Sequence, residues 1–407
     1  MLDRVAASGE SLVERAIIWA NISSGSANLD GLRAMQAALA ASLETLPGTL
    51  ELITLAPTQS ISAAGEMTAQ EHSAALQLTV RPEAAIQIVL TGHYDTVYPQ
   101  ETPFTIVTTR ADGALHGPGI ADMKGGISVM LGALAAFEGH PLATRIGYRV
   151  LLSPDEEIGS PASAALLARI AEGAHLGLTY EPSLPDGSLV DARKGSGNYH
   201  VVVRGRAAHA GRDFASGRNA VAAAAALAAQ LAGLNGQYGG VTLNVARIDG
   251  GGPLNMVPDL AVVRLNVRVP DLGAADWISH KISLISQQVA RDFDVKIEPH
   301  GSVTRAPKPR NAAQSALITA VTAVGAALGE IIGWQPSGGV CEGNNLFAAG
   351  VPNIDTLGVI GGAIHSHNEY AWPASFTTRA HLSALLLANI ASGTIDAPHI
   401  HSLMSAY

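Results

Sequence analysis

Five residues of metal-ligating type, His93, Asp122, Glu157, Glu181 and His365, lie on separate short polar runs of the chain. Zinc binds imidazole nitrogen and carboxylate oxygen at ~2.0–2.2 Å, and two-metal hydrolases hold their ions ~3.5–4 Å apart. Such a pair needs one bridging carboxylate and two further ligands for each ion, a demand that two histidines and three carboxylates can meet. Glu156, next to Glu157, remains available to take a proton from water and pass it to a leaving nitrogen. Asp95, two residues after His93, is placed to accept the second ring proton of that histidine or to orient it. The chemistry these residue types suit is metal-assisted hydrolysis of an amide.

These residues act together only if the fold gathers them. Ile88 to Thr91 is an apolar run ending in Gly92-His93-Tyr94-Asp95, which reads as a buried strand. The same pattern recurs where Tyr148 to Ser153 leads into Asp155-Glu156-Glu157, Leu176 to Tyr180 into Glu181, and Asn353 to Leu357 into the loop holding His365. Open α/β sheets bind ligands beyond the C-terminal ends of their strands, so these four strands are expected to deliver their polar residues to one crevice. Asp122 precedes a helix-like segment from Lys124 to Phe137, and Gly117, Gly119, Gly125 and Gly126 make its entry tight. From Ser11 to Ser42 the apolar spacing is helical.

Between Gly197 and Pro307 the pattern becomes strand 198–204, helix 217–234, strand 241–248, strand 260–269, helix 274–292 and strand 293–299. This is βαββαβ, the order of a ferredoxin-like unit. The expected fold is therefore α/β in two domains. Residues 1–196 and 308–407 form a catalytic sheet domain with helices on both faces, and residues 197–307 form an inserted lid and dimerisation domain.

A chain of 407 residues exceeds one ordinary core, in keeping with two domains. With 47% hydrophobic and 14% charged residues it has the composition of a well-buried globular protein. A net charge of -9 without a Lys/Arg cluster argues against a nucleic-acid partner and for a small molecule. The start of the chain, Met1 to Leu12, does not resemble a signal peptide. The uncharged stretches Asn219 to Ala246 and Asn311 to Gly329 are interrupted by polar residues and make poor membrane spans. A cytoplasmic protein is expected, and a single cysteine, Cys341, agrees with a reducing compartment.

Five segments carry a family resemblance. They are Gly92-His93-Tyr94-Asp95-Thr96-Val97-Tyr98-Pro99, Gly117 to Gly126, Pro154 to Ser160, Tyr180-Glu181-Pro182, and His365-Ser366-His367-Asn368-Glu369-Tyr370. In composition and order they resemble the motifs of the M20 metallopeptidases, most of all the glutamate carboxypeptidase and acetylornithine deacetylase-like branch. The resemblance implies two zinc ions, with cobalt or manganese as substitutes. One would be held by His93, Asp122 and Glu181, the other by Asp122, Glu157 and His365. It implies a carboxypeptidase-like activity on a peptide or N-acyl amino acid bearing a free carboxylate. His209, Asn255 and Arg268 match family residues that contact the substrate's carboxylate and polarised carbonyl. It further implies a homodimer formed through the lid, with His209 completing the partner's site.

Blander readings stand beside these. Arg268 alternates with apolar residues and could be a solvent-facing strand residue, and His209 could be a plain loop histidine. His116 reads as a packing or rim residue and His367 as a neighbour of the site, exposed or supporting it. Cys341 and Glu342 lie in a glycine-rich stretch expected to border the pocket. Three rival functions follow: an N-acyl amino acid deacylase using the same centre, a non-catalytic carboxylate- or metal-binding protein, and a cysteine hydrolase through Cys341. Binding alone needs no base, so the presence of Glu156 beside every ligand speaks against the second.

Overall fold

A computed structural model describes residues 1–406. The Ile86–His93 strand occupies the middle of a six-stranded sheet, in the order Thr49–Ile53, Ala75–Val80, Ile146–Ser153, Ile86–His93, Leu176–Thr179, Asn353–Ile354. The last four strands run parallel, and the first two join antiparallel at one edge. Alternate side chains enter different cores, as the period of two requires. Ile88, Leu90, Val150 and Leu152 pack into one cluster with the helices Leu2–Ala20, Gly126–Glu138 and Pro373–Ser392. Val89 and Leu151 face the other way, onto Ala164–Ala171 and Glu342–Ala348. Burial on both faces is why these strands read as unbroken apolar runs.

Two local expectations change. The helical stretch from Ser11 to Ser42 is two helices, Leu2–Ala20 and Leu29–Leu43, with a break that serves the site. Within it Ser24 Oγ donates to the Tyr94 carbonyl at 2.7 Å and Gly25 bridges Thr96. A Cβ on Gly25 would stand 2.1 Å from the Tyr98 carbonyl oxygen, so this close approach requires glycine. The segment around Asp122 is an irregular turn, Ile120–Gly125, running directly into Gly126–Glu138. The run Ile120–Glu138, alone among the described helices long and apolar enough to cross a membrane, is almost wholly buried in the core. Its apolarity follows from that burial.

The second sheet is antiparallel throughout, in the order Thr242–Gly250, Leu260–Val269, Gly195–Arg204, Lys296–Arg305. Numbered within the unit this is 2-3-1-4, the ferredoxin-like arrangement, and helices Ala220–Ala232 and Leu272–Phe293 share its own hydrophobic core. On the opposite face sits a hairpin that sequence reading passed over, Thr58–Ile61 with Met67–Gln70. Ile61 packs on Val202 and Val262, and Arg264 Nη1 donates to the Ile61 carbonyl at 2.9 Å.

The two chain crossings between the sheets are tied together where Arg193 and Lys308 exchange backbone hydrogen bonds. Both side chains converge on buried Asp355, which accepts from Arg193 Nε and Nη2 at 2.8 and 2.9 Å and from Lys308 Nζ at 2.6 Å. Buried charges persist when paired and hydrogen-bonded in this way, so the base of the second sheet is anchored to the six-stranded sheet.

Candidate metal centre and its surroundings

His93 ends its strand, Glu156 and Glu157 follow the neighbouring strand, and Glu181 follows the strand on the other side. Asp122 and His365 arrive on loops. The structure brings all six together. His93 Nε2 lies 3.2 Å from Asp122 Oδ1 and 3.7 Å from Glu181 Oε1. His365 Nε2 lies 3.3 Å from Asp122 Oδ2 and 3.1 Å from Glu157 Oε2. The two oxygens of Asp122 thus face two different histidines, each of which also lies near a glutamate.

These spacings fit shared ions. Two atoms each ~2.1 Å from a tetrahedral metal stand roughly 3.4 Å apart, and the four separations lie between 3.1 and 3.7 Å. The electrostatics agree. Burial and the nearby Asp122 carboxylate push Glu157 up to about 8, and burial does most to push Glu181 up to about 7. Asp122 stays below the usual carboxylate range because hydrogen bonds from His365 and His93 outweigh its burial. His365 is raised to about 11 by its contacts with Asp122 and Glu157. Burial works against a charged His93, yet Glu181, Asp122 and Asp95 hold its pKa well above the ordinary value. So many carboxylates crowd the site that it calls for positive charge, which divalent ions would supply in place of protons.

Asp95 does more than its spacing from His93 suggests. His93 Nδ1 is 3.1 Å from the Asp95 carbonyl oxygen and 3.3 Å from Oδ1. The same carboxylate accepts the backbone N–H groups of Glu156 and Glu157, each at 3.1 Å, and the Ser26 hydroxyl at 2.7 Å. One fully buried side chain therefore orients a histidine and fixes the backbone of both glutamates. Glu369 does the same for the Asp122 loop: it accepts from the N–H groups of Gly119, Ala121 and Asp122 and from the Tyr98 hydroxyl. Its place in the His365 motif was the available signal for a role that sequence reading did not assign. Beside Glu157 a cleft of about 400 Å³ opens between Ser26, Thr96, Tyr98 and Ile158.

The three lid residues are not brought together within one chain. Arg268 lies opposite Ser196, whose other neighbour is Arg305, at the root of the lid. Its buried Nη1 has no hydrogen-bond partner, and its pKa is lowered by burial and by Arg305, against the pull of Glu156. His209 pairs with Met256, and the Asn255 carbonyl accepts from Ala210, beyond the other end of that strand. Leu260 and Arg268 are eight residues apart on one strand, roughly 26 Å at about 3.3 Å per residue. His209 is exposed, its Nδ1 accepting only from Gly211. Met256, its strand partner, and Phe214, in the turn that follows His209, are exposed as well, as is Leu254.

The remaining candidates find ordinary places. Cys341 does not line the pocket. It is buried, its thiol caps the Glu342–Ala348 helix, and burial pushes its pKa well up, which disfavours the nucleophilic thiolate. Glu342 is fully buried, accepts the Ser153 hydroxyl at 2.5 Å and is raised to about 8 by burial. His116 Nε2 donates to the His367 carbonyl at 2.8 Å and the His367 ring meets the Thr102 hydroxyl at 3.2 Å, so neither joins the ligand cluster.

Comparison with known proteins agrees with this geometry. The chain is 28% identical over 316 residues to carboxypeptidase G2 of Pseudomonas sp. (strain RS-16), covering 75% of this chain and 74% of that protein. It is 26% identical over 313 residues to succinyl-diaminopimelate desuccinylase of Granulibacter bethesdensis, covering 71% and 79% respectively. Human carnosine dipeptidase 1 superposes with a TM-score of 0.74 over 96% of this chain and 100% of that one, at 15% identity, a likeness of fold. The profile of peptidase family M20/M25/M40 matches residues 89–389, spanning every strand end that feeds the cluster. With ligand-type residues facing the two sides of one aspartate at those strand ends, the chain belongs to peptidase family M20/M25/M40.

Proposed function

We propose that the protein is a dinuclear zinc amidohydrolase of carboxypeptidase type, cleaving the amide bond of a peptide or N-acyl amino acid that carries a free carboxylate. The observation that carries this reading is Asp122, whose two oxygens face His93 with Glu181 on one side and His365 with Glu157 on the other, with Glu156 beside them. His93, Asp122 and Glu181 would hold one ion and Asp122, Glu157 and His365 the other. When bound, the ions supply Lewis acidity toward the scissile carbonyl and lower the pKa of water. Glu156 takes the proton of the attacking water and returns it to the leaving nitrogen. Asp95 holds Glu156 and Glu157 in register, and Arg268, with a buried donor to spare, takes the substrate carboxylate.

His209 and Asn255 would act on the site of a second copy. The lid sheet ends in an open edge strand, Thr242–Gly250, which carries exposed Ile248, and Met256, paired with His209, is exposed together with Leu254 and Phe214. Such edges and patches suit an isologous homodimer. Deacylation of an N-acyl amino acid is the second reading, favoured by the similarity to the desuccinylase. A hydrolysis screen of dipeptides and N-acyl amino acids with zinc-reconstituted protein decides between them. Hydrolysis of neither class would sink both.

Two expectations arise here. Protein purified without chelator should contain close to two divalent ions per chain by elemental analysis, and full activity with one or none would contradict the shared-aspartate arrangement. Removing the ions should also lower the melting temperature by a few degrees, since a ligand at 100 times its Kd stabilises by ~2.7 kcal/mol. The second concerns Arg268→Ala, which should raise KM for substrates with a free carboxylate by about 10- to 100-fold, a charge-assisted bond being worth ~1.5–3 kcal/mol. The matching amides or esters should change little. Equal losses for acid and amide would place Arg268 in a structural role.

A further inference from the structure

Glu156 does not stand free beside the ligands. Arg305 Nη1 donates to Glu156 Oε1 at 2.6 Å, while Nη2 donates to the Glu156 carbonyl oxygen at 3.3 Å and to the Ser160 hydroxyl at 2.6 Å. Both side chains are buried, at 4% and 8% exposure, so solvent and salt screen this pair little. The planar guanidinium presents its donors in a rigid fork, so one side chain holds the Glu156 carboxylate, the Glu156 carbonyl and the Ser160 hydroxyl in a fixed mutual geometry.

The position of Arg305 gives the contact its meaning. It is the last residue of the lid strand Lys296–Arg305, it lies opposite Ser196, and Lys308, pinned by Asp355, follows three residues later. Asp95 fixes the backbone N–H groups of Glu156 and Glu157, yet makes no contact with the Glu156 carboxylate. That carboxylate has χ rotations of its own to lose, and Arg305 is the group that holds it, near His93 and Glu181.

We propose that Arg305 is a positioning residue for the general base: reaching from the root of the lid, it fixes the Glu156 carboxylate beside the metal ligands. The proposal rests on the reading of Glu156 as that base. It also makes the lid part of the catalytic apparatus, because the residue that places the base belongs to the lid's last strand. No motif marks it. It lies beyond the strand expected at 293–299, which the structure extends to Arg305.

The test is a double-mutant cycle on the best dipeptide or N-acyl amino acid substrate. Misplacing a catalytic group by ~1 Å costs on the order of 10²-fold, so Arg305→Gln should lower kcat about 100-fold and change KM by less than about threefold, with metal content unchanged. Arg305→Lys should recover part of that loss, and it carries the same cycle if the Gln variant does not fold. With Glu156→Gln as background, adding the Arg305 substitution should cost nothing more, because no base remains to be placed. Unchanged kcat in both Arg305 variants, or losses that multiply in the double variant, would overturn the proposal while leaving Glu156 as base. Normal turnover by Glu156→Gln alone would instead bring down the reading of Glu156, so the two failures are distinct.

Discussion

Glu156→Gln is expected to lower kcat by ~10²–10⁴-fold while the metal ions stay bound, the usual worth of a general base. That range corresponds to about 3–5 kcal/mol of barrier. The substitution keeps the size of the side chain and an oxygen able to accept from Arg305 Nη1, so the buried pocket should not collapse. What it removes is the capacity to take and return a proton. Glu157→Gln, one residue away, should behave differently, because Glu157 lies 3.1 Å from His365 Nε2 on the ligand side of the cluster. Its loss should appear first as missing metal. Turnover numbers and elemental analysis of the two variants, measured side by side, separate base from ligand. Near-normal kcat in metal-loaded Glu156→Gln would remove Glu156 from the mechanism.

Mixing two inactive proteins should restore activity if the site is shared between copies. Glu156→Ala lacks the base and His209→Ala lacks the lid histidine. Co-expressed so that subunits pair at random, about half the dimers are mixed. With His209 acting across the dimer, a mixed dimer has one site lacking both groups and one site lacking neither, so activity should return to roughly a quarter of wild type. A His209 acting on its own chain leaves each mixed site short of one group, and nothing returns. The structure favours the first outcome. His209 lies beyond the Leu260 end of the lid strand, while Arg268 and Arg305, near Glu156, occupy the other end. A flat quarter-scale recovery and its complete absence are easily told apart.

The two outcomes above depend on residues of different legibility. Glu156 sits in a local run directly after an apolar strand, and the rule that α/β sheets act at strand ends was enough to group it with His93, Glu181 and His365. The lid's βαββαβ order was also legible, since its periodicity is strong and its elements are long. The break at Asn21 to Asn28 was not, because helical spacing continues on either side of it. Its cause is a contact with Thr96 and Tyr98, some seventy residues away in the chain. The antiparallel strand Thr49–Ile53 escaped for a related reason. It is largely exposed and lacks the apolar run that marked its buried neighbours.

By itself the sequence determined which residues could ligate, which could act as base, and which strands would present them, because each of these depends on residue type and on periodicity within a few positions. Only the tertiary structure decided which groups hold those residues in place. Asp95 on the amides of Glu156 and Glu157, Glu369 on the Asp122 loop and Arg305 on the Glu156 carboxylate all join segments distant in the chain. It also parted His209 and Asn255 from Arg268, which the shared lid had grouped together. The physical reason is that burial and periodicity are properties of one element, whereas a hydrogen bond between elements exists only once packing has set their distance and angle.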